Sequence, residues 1–350
     1  MHRKIFFLFI ITLFSSALVK AQQYYVFAVS YNRDKAKDGI YVFRFNDESG
    51  ALQQVHTVKG ILNPSFLSLS PDGKYIYACS EAQTPNVGGV TSLAFDSAKE
   101  TLTILSRQDS GGDNPAYVGT DHNGKWLICA NYSGGSLAIF PLQNGRIAPA
   151  KQVIAFKDSS VLKRQRSSHI HSSVFSPDGR YAFFPDLGAD KIRAYRVDPG
   201  AGKPLQPDAP PFTPTVPGSG PRHIIFHPAL PYAYCIEEIG GMVSVYKYKA
   251  GKLNRIQRIP AHLPPFAADY NGADIHLSPD GLFLYASARE DDNMIFIYSV
   301  NQQNGTLKAI GQQYTGGNHP RNFAIDPSGK FLLVAKQNSG NIVVFKRNRE

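Results

Sequence analysis

The chain repeats itself about every 51 residues, and this constrains its fold more than any other feature. The tetrapeptide SPDG stands at residues 70–73, 176–179 and 278–281, with the variants DHNG at 121–124, HPAL at 227–230 and DPSG at 326–329. The steps between the last residues of these motifs are 51, 55, 51, 51 and 48. Self-similarity at such a period marks a solenoid, a propeller or an array.

Each turn motif is preceded by one short apolar run and followed by two more, as in SFLSLS, YIYACSE and VTSLAF, and a further run such as TLTIL closes the unit. We call these strands a, b, c and d. A Pro/Asp/Gly turn between alternating runs is a hairpin signal, and no later segment carries a helical period. Four short antiparallel strands per unit is the arithmetic of a β-propeller blade. Seven b–c pairs are present, counting YYVFAVS with IYVFRF as a first copy without strand a. Strand d occurs only six times, because the chain stops at Glu350 just after NIVVF. The expected fold is therefore all-β, a seven-bladed β-propeller of four-stranded antiparallel blades, incomplete at the C-terminal seam. Propellers bury their terminal edges by closing the ring, so either the native chain extends beyond Glu350 or the ring is open at one seam.

Residues 1–21 form a separate object. A basic start (Arg3, Lys4), an apolar run over residues 5–14 and small residues up to Ala21 read as a secretory signal peptide cleaved after Ala21, which places the protein in the periplasm or outside the cell. Residues 22–350 then form a single propeller domain. No later segment is long and apolar enough to span a membrane. With 43% hydrophobic and 18% charged residues, intrinsic disorder is excluded. The formal net charge of +10 falls to +7 once residues 1–21 are removed; a mildly basic domain favours anionic ligands, but the basic residues are scattered and do not suggest nucleic acid. Cys79, Cys129 and Cys235 sit in apolar strand runs and read as buried small hydrophobes. Trp126 reads as core.

The repeat lets positions be compared between blades. With the last residue of each turn motif as zero, position −9 holds Pro64, Pro115, Ile170, Pro221, Gly272 and Pro320, and −8 holds Ser65, Ala116, His171, Arg222, Ala273 and Arg321. Position +8 holds Glu81, Tyr132, Leu187, Glu238, Arg289 and Gln337. Strands a and b form a hairpin about the turn, so −8 and +8 meet at its open end, on one face of the ring. His171, Arg222, Glu238, Arg289 and Arg321 are thereby predicted to converge at one mouth of the central channel, with His169, His223 and His319 close to that level. Charged side chains crowd an inner strand only where they face solvent or a ligand. A carboxylate (Glu238) or imidazole (His171) as general base with arginines as anion clamp suits making or breaking an ester bond in an anionic substrate. No cofactor, metal or covalent nucleophile is indicated: GxSxG, HExxH, a strand-borne GxGxxG and paired CxxC are all absent. The blander alternatives are that His169 and His171 are structural rather than half a metal site, that Arg222 and Arg289 are inter-blade ion-pair partners, and that His319 caps a turn.

The phrases NPSFLSLSPDGKYIYACSE, ANYSGGS, HIHSSVFSPDGRYAFFPDLGADKI, GPRHIIFHP and NHPRNFAIDPSGKFLLVAKQNSGNIVVF resemble the lactonase family of seven-bladed propellers, across the whole mature chain. That family includes propeller-type 6-phosphogluconolactonases and carboxymuconate-lactonising enzymes. The resemblance implies cofactor-free hydrolysis of 6-phosphoglucono-1,5-lactone to 6-phosphogluconate. It also implies a His, two Arg and a Glu at the channel mouth, matched by His171 in HIHS, Arg222 in GPRH, Glu238 in CIEE and Arg289 in SARED, with Arg321 in HPRN beside them. Arg321, His319, His169 and His223 are expected to bind substrate. Export points to another anionic or sugar lactone as substrate. The alternatives are a non-catalytic periplasmic ligand-binding or scaffold propeller, and a lactonising cyclase.

Overall fold

Each turn motif is closed by its own side chains. The Ser70 hydroxyl donates to Asp72 Oδ1 (2.6 Å) and accepts from the Tyr75 amide (2.9 Å), while Gly73 takes φ +69°. Ser176 and Ser278 repeat the arrangement. Where the serine is replaced, Asp121 and Asp326 accept the corresponding amides of Trp126 and Phe331. The glycine is needed because φ is left-handed there.

The computed structural model describes residues 23–82, 88–262, 270–290 and 292–348, so the signal peptide read from residues 1–21 lies outside the described residues. Seven antiparallel sheets follow one another along the chain. Blades 2, 4, 5 and 6 have four strands in the order a-b-c-d. Blade 3 adds one two-residue strand, Arg146–Ile147, to the same plan. Blade 1 (residues 23–58) has three strands and lacks strand a, and blade 7 (residues 320–346) has three and lacks strand d. The strand count read from the repeat is therefore observed. Among the described residues the sole helical element is one 3-10 turn, Lys163–Gln165.

An open seam, one of the two alternatives drawn from the sequence, is not what forms. Seven buried apolar clusters fill the seven blade-to-blade interfaces, and one of them joins blade 7 to blade 1 through Phe331, Leu333 and Phe45. Phe45 and Phe331 meet edge to face at 5.7 Å. The seam also uses a lock found elsewhere in the ring. The aromatic at position +2 of a blade packs onto the glycine of the next blade's c–d turn, where a Cβ would sit within 2.7 Å of the ring: Tyr75 on Gly145, Tyr181 on Gly251, Tyr232 on Gly305 and Phe331 on Gly50. Side chains alone thus close the ring, with no shared strand among the described residues. Trp126 and the three cysteines are buried, and the cysteines are unpaired.

Candidate active site

The inner strands share one irregularity that builds the channel mouth. In blades 2, 3, 5 and 7 strand a carries one extra residue relative to strand b, and that residue is the one at −8: Ser65, Ala116, Arg222 and Arg321. In blade 6 Ala273 and Asp274 together oppose one residue. In blade 4 residues 171–173 oppose two, between the Ile170–Asp186 bridge and the Val174–Phe183 pair. A bulge re-aims a side chain out of the sheet's alternation, which explains how His171, Arg222 and Arg321 all turn to one face. The hairpin register is equally regular: the +8 amide donates to the −10 carbonyl in all six blades, from Glu81–Asn63 (3.0 Å) to Gln337–His319 (2.9 Å).

Glu238 is the hub. Arg222 Nε donates to its Oε2 at 2.9 Å, and Arg289 Nη2 lies 3.0 Å from the same oxygen. Arg164 Nη2 donates to Oε1 at 2.5 Å, and His171 Nε2 stands 3.9 Å from Oε2. Carbonyl acceptors fix the two inner arginines: Arg222 Nη1 donates to Ala273 O (2.6 Å), Arg289 Nε to Asn271 O (3.2 Å) and Arg289 Nη2 to Gly272 O (3.1 Å). All four of His171, Arg222, Glu238 and Arg289 are buried. Burial alone would raise the Glu238 carboxyl, but Arg289, Arg222, Arg164 and Arg321 outweigh it and hold it at about 2. Burial, with the Arg289 and Arg321 charges, brings Arg222 down to about 9, so it remains a cation at neutral pH. Burial and the charges of Arg222, His223 and Arg321 push His171 well below the usual histidine range. His171 is therefore a neutral imidazole, and its Nδ1 is buried without a hydrogen-bond partner.

Arg321 lies further round the mouth, 3.8 Å from Glu81 Oε1 and over the Tyr31 ring, while the Tyr31 hydroxyl donates to Glu81. His319, at φ +65°, places Nε2 3.5 Å from Arg289 Nη1 and Nδ1 2.9 Å from Glu290 Oε1. His169 stacks on Tyr132 at 4.5 Å, and the edge of His171 meets the same ring. Of the two carboxylates in CIEE, Glu237 turns the other way, to Arg258 and Ser244 within blade 5.

His223 sits one layer deeper. Position −7 holds Phe66, Tyr117, Ser172, His223, Asp274 and Asn322, and these form a floor across the channel. Phe66 stacks on Tyr117, both meet the His223 ring, His223 Nδ1 bonds Asp274 Oδ1 (2.8 Å), and Asn322 donates to Asp274 Oδ2. The other His223 nitrogen lies 3.1 Å from Arg222 Nη1, so the floor supports the mouth from below.

Two contributors escaped the sequence reasoning. Asp274 lies one residue beyond the aligned −8 position. Arg164 lies outside the repeat, in the segment between blades 3 and 4, and the 55-residue step was the available sign of that insertion.

A family model described as a seven-bladed β-propeller lactonase matches residues 25–350. A protein of Formosa agariphila named 6-phosphogluconolactonase is 43% identical over 93% of both chains. A Bacillus subtilis protein of the same name is 32% identical over 89% of this chain and 88% of its own. Among solved structures, the periplasmic gluconolactonase of Pseudomonas aeruginosa is 37% identical with a TM-score of 0.90, over 94% of this chain and 93% of its own.

Proposed function

The chain belongs to the lactonase family of seven-bladed β-propellers, and we propose that it hydrolyses a small anionic or sugar-acid lactone at the floored mouth of its central channel. The relatives named 6-phosphogluconolactonase carry the reaction class to it: a carboxylic-ester hydrolase acting on lactones. The observation that supports this site is the cluster of three guanidiniums and a neutral imidazole around one ionised carboxylate.

In this mechanism His171 is the base. Its Nε2 takes a proton from water as the oxygen attacks the lactone carbonyl carbon, and the guanidiniums of Arg222 and Arg289 face the oxyanion that forms. Collapse breaks the ring C–O bond, and the leaving alkoxide takes the proton back from the imidazolium. Glu238 fits the base role poorly, since both its oxygens are occupied and its carboxyl is held at about 2. Its negative charge instead stabilises the transient imidazolium. His223 and Asp274 position Arg222, and Arg321 extends the cationic wall, while His319 stands beside Arg289 as a neutral imidazole.

The signal peptide read from residues 1–21 makes this an exported enzyme, cleaved after Ala21, in keeping with the periplasmic name of the Pseudomonas aeruginosa relative. Its substrate is then a lactone found outside the cytoplasm. Proton release from a lactone panel tests the assignment, with Arg222→Ala and Glu238→Gln as controls. Turnover of at least one lactone that falls a hundredfold or more in both variants is expected; turnover indifferent to both would reject this site.

A further inference from the structure

The three guanidiniums on Glu238 are not equivalent. Arg222 and Arg289 rise from strands a and b, are buried, and are pinned by backbone carbonyls. Arg164 comes from the 3-10 turn between blades 3 and 4, and its side chain is 43% exposed. It reaches Glu238 Oε1 past the Tyr132 hydroxyl. The backbone beneath it is fixed. Gln165 is fully buried and donates to Leu187 O (2.8 Å) and Asp190 Oδ1 (2.9 Å), while Ser160 donates to Asp190 Oδ2 (2.5 Å). Asp190 also accepts from the amides of Gly218 and Gly220, tying the turn to the entrance of blade 5. Arg164 is therefore a movable side chain on a rigid base.

We propose that Arg164 is the substrate-selecting arm of this site: it exchanges Glu238 Oε1 for a phosphate or carboxylate group on the lactone, and so favours anionic lactones over neutral ones. This rests on the lactonase reading above. The exchange leaves no charge unpaired, because Arg164 keeps a charge-assisted bond while Glu238 keeps Arg222 and Arg289. Four guanidiniums (Arg164, Arg222, Arg289, Arg321) face three carboxylates (Glu238, Glu81, Glu290) at the mouth, which leaves an excess positive charge for an added anion. A neutral lactone offers nothing to exchange, and with it Arg164 stays across Glu238. The same movement frees the Glu238 charge to act on His171, 3.9 Å away. Binding of the right substituent thus strengthens the base only when the substrate is in place.

The test compares kcat/KM for 6-phosphoglucono-1,5-lactone, glucaro-1,4-lactone and glucono-1,5-lactone in the wild type, Arg164→Gln and Arg164→Lys. The first two probes separate phosphate from carboxylate, and the third carries neither. The wild-type preference for one anionic probe over glucono-1,5-lactone is expected to fall at least tenfold in Arg164→Gln, mainly through KM, with partial recovery in Arg164→Lys. A preference unchanged within threefold while the wild type turns lactones over overturns the role of Arg164 and leaves the lactonase reading standing. If no lactone is hydrolysed by any form, the lactonase reading has failed. Calorimetric titration with 6-phosphogluconate and glucarate then decides the arm separately: affinity at least tenfold weaker in Arg164→Gln supports it, and unchanged affinity overturns it. Circular dichroism of each variant verifies the fold.

Discussion

Nε2 of His171 stands 3.9 Å from Oε2 of Glu238, near enough for the carboxylate to stabilise an imidazolium and too far for a direct hydrogen bond. A base must be unprotonated to act, so activity rises with pH through its pKa and is level above it. Burial and the surrounding cations place His171 well below the usual histidine range. The profile of kcat/KM against pH should therefore be flat from about pH 6.5 to 8, with its acid limb displaced below the ordinary histidine value of about 6.5. An acid limb centred at or above 6.5 would exclude His171 as the base.

Removing the hub charge should be costly for folding as well as for catalysis. Glu238→Gln leaves the buried guanidiniums of Arg222 and Arg289 facing a neutral amide, and breaking a buried ion pair from one side costs about 3–5 kcal/mol. Urea denaturation should show a loss in that range, and kcat/KM should fall at least a hundredfold. Glu237→Gln is the matched control. It removes the charge that Arg258 pairs with inside blade 5, so stability should drop while kcat/KM stays within about threefold. Equal losses of activity in the two variants would show that Glu238 acts only through stability.

Much of this site could be read from the repeat because a propeller turns sequence register into spatial position. The −8 side chains of His171, Arg222 and Arg321 face one mouth, and the same bulge recurs at that position in blade after blade. The sequence alone did not separate layers one residue apart: it grouped His223 with the mouth, whereas the bulge sends −8 outward and leaves −7 to form the floor. Arg164 was missed for a different reason. It belongs to no repeat, so register carries no information about where its side chain reaches. The seam was half legible: the strand count revealed both three-stranded blades, but closure by Phe45 and Phe331 depends on packing that periodicity does not encode.

Acid should destabilise the protein earlier than carboxylate titration would predict. Burial lowers His171, His223 and His319, the last two to about 4. In the unfolded chain each takes up a proton near pH 6.5, while in the folded state it does so only much lower. Between those values the unfolded state binds more protons, so stability falls as pH falls, by roughly 1.4 kcal/mol per pH unit for His223 alone. His276 works in the opposite direction: burial lowers its pKa, but Asp274 outweighs that and raises it. Its contribution is fully present below pH 6.5 and is lost as pH rises through its folded pKa. With His227 lowered by burial as well, four imidazoles act in one direction below pH 6.5, where the His276 contribution no longer changes, so the melting temperature should fall steadily from pH 6.5 to 4. Melts that stay level or rise over that interval would mean these imidazoles are protonated in the fold.

The seam between blades 7 and 1 should be the first interface to open. Its buried cluster consists of Phe45, Phe331 and Leu333, whereas the interface between blades 5 and 6 buries fourteen apolar side chains. Phe331 anchors it twice, at right angles to Phe45 and packed against Gly50 at φ +75°. Truncation by Phe331→Ala should cost about 3–5 kcal/mol. It should also accelerate amide hydrogen exchange in strands Pro320–Ile325 and Phe331–Lys336 well before strands Tyr232–Glu237 and Phe283–Ala288 respond. Because Arg321 leaves the same blade to meet Glu81 and Tyr31, loosening the seam should also weaken anionic-substrate binding, seen as a higher KM with little change in kcat. Uniform exchange across all seven blades in Phe331→Ala would show that the seam is no weaker than the other interfaces.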